Sequence, residues 1–80
     1  MFNETDLIFC NNILSQINKD NYWDKLHSLI KAYHKSLDYL RSANGYEEYS
    51  KGIDMVAKIR FNERLKYIIN QMVEGYNAIQ

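Results

Sequence analysis

Apolar residues recur at spacings of three and four along almost the whole chain, which is the period of an α-helix that buries one face. The chain has 80 residues, no proline and only three glycines, so little interrupts this pattern. Helices are predicted over about residues 5–18, 21–42 and 46–79. We therefore expect an all-α fold, a small bundle of three helices.

The first predicted helix is short and has a single apolar stripe. Asn3 or Thr5 can cap its start through a side-chain oxygen, and Glu4 and Asp6 place negative charge near the positive end of the helix dipole. The stripe consists of Leu7, Cys10, Leu14 and Ile17, widened by Phe9 and Ile13. This pattern predicts one buried face.

The second predicted helix carries the most regular stripe of the chain. Asn21 and Asp24 have the spacing of a capping box at its start. Asn44 and Gly45 tolerate the left-handed backbone that ends many helices, so the helix should end before them. The stripe runs through Trp23, Leu26, Ile30, Tyr33, Leu37 and Leu40.

The third predicted helix has two apolar faces in succession, and one partner cannot cover both. The first face contains Tyr49, Ile53, Val56 and Ala57. The second lies about a quarter turn away and contains Phe61, Leu65, Ile68, Ile69, Met72, Tyr76 and Ile79. Because the change falls beside Asn62, we expect a bend or a change of partner there.

A short connection makes the second and third helices antiparallel neighbours. Residue numbers of partners across this hairpin should sum to about 86 or 87 for a connection of this length, which pairs Ile30 with Val56. The same register places Arg64 beside Trp23 and Asp24.

The predicted lengths leave the end of the third helix without a partner. At about 1.5 Å per residue it spans roughly 50 Å, against roughly 30 Å for the second helix. The first helix could fold back onto this overhang or pack beside the hairpin as a compact three-helix bundle, or the overhang could pair with a second copy. A layer two helices thick leaves apolar residues exposed to solvent on one flank. Because a second copy would cover that flank, we predict a homo-oligomer, with a dimer favoured. The predicted oligomer interface consists of Leu65, Ile69, Met72, Tyr76 and Ile79.

Composition narrows the class of protein. Ten basic residues balance ten acidic ones, so no net field draws the chain to nucleic acid or to a membrane. The lone Cys10 cannot close an intramolecular disulfide, and the apolar segment 7–10 is too short for a signal peptide or a membrane span. We expect a single domain over residues 1–80 in the cytoplasm. The abundance of Asn, Ile, Lys and Tyr is the mix that AT-rich codons favour, as in many bacterial, phage or mobile-element genomes.

No residue pattern predicts catalysis. His27 and His34 lie about 10 Å apart along one helix, which is too far for both to hold one metal ion. Cys10 has no histidine near it in sequence, and the isolated glycines form no phosphate-binding loop. We therefore expect no enzyme, no cofactor and no metal.

Positive charge is concentrated at one place on the third helix, beside aromatic residues. Cations interleaved with aromatic rings suit phosphates and bases. Pairing of Arg64 with Asp24, or its stacking over Trp23, explains the same pattern without a ligand. The candidate partner-binding or ligand-binding residues are Lys58, Arg60, Arg64, Tyr67, Trp23 and Tyr39.

Two functions follow as hypotheses. The first is a non-catalytic protein-protein interaction module, a small regulator or inhibitor that binds another protein through exposed tyrosines and the region 60–67. The alternative is a homo-oligomer that binds a nucleotide or nucleic acid at Arg60 and Arg64.

Overall fold

The computed structural model describes residues 2–42 and 55–79, and these residues form three α-helices and no strand. Helix α1 is Glu4–Leu14, α2 is Tyr22–Arg41 and α3 is Met55–Ile79. Within α3, side chains are described from residue 56 to residue 75. The predicted all-α fold is confirmed, and the predicted helix start over 46–54 lies outside the described residues.

A complete capping box begins α1. The side-chain oxygen of Asn3 accepts a hydrogen bond from the amide of Asp6 at 3.1 Å, and the Asp6 carboxylate accepts one from the amide of Asn3 at 3.0 Å. These two bonds satisfy amides that a helix start leaves without intrahelical partners. Of the two predicted caps, Asn3 is the one used.

Side-chain hydrogen bonds hold the connection from α1 to α2. The amide of Ile17 donates to the carbonyl of Leu14, three residues back, and this tight turn ends α1 earlier than predicted. The side-chain oxygen of Asn21 accepts a bond from the amide of Asn18 at 2.8 Å. The predicted capping box of Asn21 with Asp24 is wrong, because the Asn21 side chain is engaged within the connection and makes no capping bond.

Helices α1 and α2 both pack on α3, and their backbones stay apart from each other. No Cα of α1 comes within 8 Å of a Cα of α2. The buried hydrophobic side chains are contributed by all three helices: Cys10, Leu26, Leu65, Ile68 and Met72. Both α1 and α2 therefore cover the second apolar face of α3, so α1 packs beside the α2–α3 hairpin, which is one of the alternatives left open by the sequence.

The antiparallel pairing of α2 with α3 is confirmed, but its register differs from the prediction. The hydroxyl of Tyr22 donates to the carbonyl of Met72 at 2.9 Å, and the side-chain amide of Asn62 donates to the hydroxyl of Ser36 at 3.2 Å. The residue numbers of these pairs sum to 94 and 98. The two helices are thus shifted by about two to three turns relative to the predicted hairpin.

The observed register buries part of the second apolar face of α3. Leu65, Ile68 and Met72 are buried, whereas Val56, expected opposite Ile30, is exposed. Removing these three side chains from water stabilises the observed register. At the change of face predicted beside Asn62, α3 continues as one helix.

The helices form a layer about two helices thick. The Cα atoms extend 46 × 24 × 17 Å, whereas one helix with its side chains is about 10–12 Å across. The radius of gyration is 14.3 Å, against about 12 Å for a compact domain of this length. Large apolar side chains consequently remain accessible on every helix, among them Ile8 at 56%, Trp23 at 61% and Phe61 at 49% exposure.

We expect Ile68→Ala to lower the free energy of unfolding by about 2–5 kcal/mol, because this fully buried side chain lies where both other helices meet α3. Ile8→Ala removes the same atoms from an exposed position and should change the free energy by no more than about 0.5 kcal/mol. Urea denaturation followed by circular dichroism measures both values. Equal losses in the two variants would contradict the described core.

Candidate functional site

Asp6 joins α1 to α3 through two arginines. Its side chain has no exposed surface, and its two carboxylate oxygens accept bonds from Arg60 at 3.1 and 3.3 Å and from Arg64 at 2.5 Å. Arg60 and Arg64 lie one turn apart on α3, so both guanidinium groups reach the same carboxylate. We call these three residues the Asp6 cluster.

The Asp6 cluster keeps its carboxylate ionised. Burial by itself raises the pKa of Asp6, because desolvation disfavours the charged form. Hydrogen bonds from the Asn3 amide, Arg60 and Arg64 outweigh burial, and the attraction of Arg60 adds to them, so the pKa falls from 3.8 to about 2. At neutral pH the cluster therefore carries two positive charges and one negative charge.

Rings and a thiol complete the contact between α1 and α3. The guanidinium of Arg64 lies 4.4 Å from the ring centre of Phe9, a cation-π arrangement. The ring of Phe2 packs on that of Tyr67 with 5.3 Å between centres. The buried thiol of Cys10 donates to the carbonyl of Arg64 at 3.6 Å, and burial raises the pKa of this thiol, which favours its protonated form.

The structure separates the predicted binding residues into three places: the contact with α1, the end of α2, and the start of α2, where Trp23 lies. Arg60, Arg64 and Tyr67 all contact the α1 end of the chain. The ammonium of Lys58 lies 5.1 Å from the ring centre of Tyr39, toward the end of α2. These residues therefore do not form one continuous patch.

Trp23 stands apart from both arginines, at the start of α2. Its ring meets that of Tyr22 edge-on at 5.0 Å. The expected pairing of Arg64 with Asp24 or Trp23 is wrong, because the observed register turns Arg64 toward α1 and Asp6.

The residues predicted for an oligomer interface mostly belong to the chain's own packing. Leu65 and Met72 are buried, since α1 and α2 cover that face of α3, and Ile69 is partly buried against the core. Tyr76 and Ile79 are part of the α3 backbone, and their side chains lie outside the described residues. Leu65, Met72 and Ile69 therefore contribute mainly to packing within the chain.

A groove runs along one face of α2, bounded by the end of α1 and the connection over its first half and by α3 over its second half. It consists of two adjoining cavities of about 310 and 290 Å³ that share Ala32. Ile13 of α1, Ile17 of the connection and Leu29 of α2 line the larger cavity, and Phe61 of α3 lines the smaller one, whose described lining comes from α2 and α3. We call this feature the α1–α2 groove.

Phe61 is the most informative residue of the α1–α2 groove. It lies seven residues before Ile68, so the two side chains project from the same side of α3. Ile68 is fully buried, whereas Phe61 is half exposed. The apolar stripe of α3 therefore continues past the point where α1 and α2 cover it together.

Among the described residues, no three His, Cys, Asp or Glu side chains lie close enough together to hold a metal ion. None of the described helices combines the length and apolar character that a membrane crossing requires.

Comparison of the chain with protein-family models, with curated proteins and with solved structures gives no match.

Sequence reasoning missed Asp6 as the partner of both arginines. The spacing of Asn3 and Asp6 is that of a capping box, and Arg60 and Arg64 repel each other across one helical turn unless an anion lies between them. These two patterns indicate a helix start and a need for negative charge. They do not indicate which acidic residue supplies it, because that depends on how α1 packs on α3.

The lowered pKa of Asp6 predicts a loss of stability in acid. The folded-state pKa of about 2 is below the ordinary value of 3.8, so the stabilisation is fully present above 3.8 and is lost as the pH falls toward 2. Asp6→Asn should lower the urea midpoint at neutral pH, because it removes the charge that both arginines share, and should flatten this acid dependence. Asp38→Asn, at an exposed position on α2, is the matched control. An unchanged acid profile in Asp6→Asn would contradict the assignment.

Proposed function

We propose that this chain is a non-catalytic protein-interaction module, a small regulator or inhibitor that acts by binding another protein. The observation that supports this most is the half-exposed Phe61 on the core side of α3. Covering an aromatic ring of this kind is favourable by roughly 25 cal/mol per Å² of apolar area removed from water. A partner that fills the α1–α2 groove would therefore extend the existing core.

The form of the α1–α2 groove suits a helix from the partner. Helix-in-groove recognition places an amphipathic helix between two others, with its apolar face inward. Ile13, Leu29 and Phe61 supply apolar contacts from three different helices. Such a partner would play the part of a fourth helix in the bundle.

A catalytic role has less support in the described residues. The carboxylate of Asp6 has no exposed surface, so no substrate reaches it, and it holds α1 in place. The thiol of Cys10 is buried and bonded to a backbone carbonyl. We also propose a cytoplasmic location, which fits a free buried cysteine.

We further propose that two copies of the chain associate through the flank of α2 that faces away from the α1–α2 groove. Trp23 and Ile30 lie two turns apart on one side of α2, and both are exposed. Because Tyr22 bonds to the Met72 carbonyl, the adjacent exposed Val73 lies at the same level as Trp23. Apolar side chains from two helices thus share this flank.

The alternative function, a nucleotide or nucleic acid held at Arg60 and Arg64, has weaker support. Both guanidinium groups already bond to Asp6, which neutralises half of their charge. Lys58 lies over Tyr39, away from them. Binding of an oligonucleotide at low salt that disappears in the double variant Arg60→Gln and Arg64→Gln would favour this alternative over protein binding.

Phe61→Asp tests the interaction module directly. Affinity-tagged chain should recover a stoichiometric protein partner from cells of its source, and Phe61→Asp should lose that partner because it places a charge on the floor of the α1–α2 groove. Ile8→Asp is the control, since Ile8 is similarly exposed on the outer side of α1. Circular dichroism confirms that both variants are folded. A partner retained equally by Phe61→Asp and the unaltered chain would refute the role of the groove.

For the association of two copies, we expect light scattering to report a dimer at concentrations of tens of micromolar. The double variant Ile30→Glu and Val73→Glu should be monomeric, because like charges would face each other across the interface. Ile8→Glu should remain dimeric. A well-folded monomer of the unaltered chain under these conditions would rule out the proposed dimer.

A further inference from the structure

We propose that the occupant of the α1–α2 groove is an acidic amphipathic helix of a partner protein. This inference rests on the proposed function and adds the chemistry of the partner. Three lysines line the groove together with its apolar residues, and among residues 2–42 and 55–79 no aspartate or glutamate lines either of its two cavities. The overall charge of the chain is zero, so this positive charge is a local property of the groove.

None of the three lysines forms an ion pair with a described acidic residue, so their positive charge is available to a partner. Lys25 and Lys35 are exposed, and neither forms an ion pair with any described acidic residue. The ammonium of Lys58 lies over the ring of Tyr39, which holds it at one end of the groove without neutralising it. The described ion pairs all involve Asp6, which bonds elsewhere.

The length of the groove along α2 matches that of a bound helix of several turns. From Lys25 to Tyr39, the α2 side of the groove is roughly 20 Å long, about the length of four helical turns. Lys25 and Lys35 are roughly 15 Å apart along the same axis. Glutamates at one-turn or two-turn intervals on an occupant could reach the lysines while its apolar stripe covers Phe61.

The apolar floor favours a peptide over a nucleic acid. Ile13, Leu29 and Phe61 can interdigitate with leucine-like side chains, whereas nucleic acid binding relies on arginine forks and on bases stacked against exposed rings. The arginines of α3 are directed to Asp6 and do not line the groove. Lysine, a compact charge on a flexible stem, suits scattered carboxylates along a helix.

Two synthetic peptides of about 18 residues, long enough to span the groove as helices, test the inference. Both carry the same leucine stripe, and the polar face holds glutamate in one and lysine in the other. Fluorescence anisotropy should show the acidic peptide binding at least about tenfold more tightly at low salt, with the difference shrinking at high salt. Equal affinities for the two peptides, or tighter binding of the basic one, would overturn the proposal.

Charge reversal locates the site. The triple variant Lys25→Glu, Lys35→Glu and Lys58→Glu should prefer the basic peptide. The control Lys19→Glu, Lys31→Glu and Lys66→Glu has the same net charge, places every change outside the two cavities, and should still prefer the acidic peptide. If both triple variants lose the acidic preference to the same extent, only general charge attraction is at work and the groove assignment fails. Lys35→Glu alone gives a smaller shift that is measurable even if the triple variant is unstable.

Other polyanions serve as competing probes. A single-stranded oligonucleotide or anionic phosphatidylserine vesicles that bind the groove more tightly than the acidic peptide would overturn the choice of a protein helix. Loss of the native partner in Phe61→Asp without any acidic preference refutes only the charge of the occupant. Failure of Phe61→Asp to affect the native partner, together with no peptide binding, refutes the proposed function as well.

Discussion

A single buried carboxylate fixes how α1 sits on the rest of the chain. Asp6 and Cys10 are the fully buried side chains of α1, and a buried charge is tolerated only when every oxygen is bonded. Asp6 meets that condition by capping its own helix and by binding Arg60 and Arg64 at once. The same bonds set the angle and position of α1, and with them one wall of the α1–α2 groove.

Local chemistry was readable from the sequence. The absence of proline and the spacing of apolar residues predicted three helices. Helix α2 ends at Arg41 with an extended Ser42 as its C-cap, close to the predicted end at 42, whereas the predicted cap at Asn44 and Gly45 lies outside the described residues. Asn3 was predicted as one of two possible caps for α1. Each of these features depends on residues within a few positions of one another, where helix geometry relates sequence spacing to distance.

Long-range placement was not readable in the same way. Helix periodicity predicted two apolar faces on the third helix, but the register of α2 on α3 depends on the total area that each alignment buries. A shift of a few turns changed the partner of Arg64 from Asp24 to Asp6 and moved Leu65 and Met72 from a predicted interface into the core. The same shift leaves Phe61 half exposed beside α2, where it lines one end of the α1–α2 groove.

Apart from the hydrogen-bonded connection of residues 15–21, the backbones of α1 and α2 are attached to α3 and not to each other. The bonds of Asp6 to Arg60 and Arg64 hold the start of α1, so they also help to set the distance between α1 and α2. A substitution that repositions α1 on α3 would therefore change the width of the groove without altering the hydrogen bonds between α2 and α3.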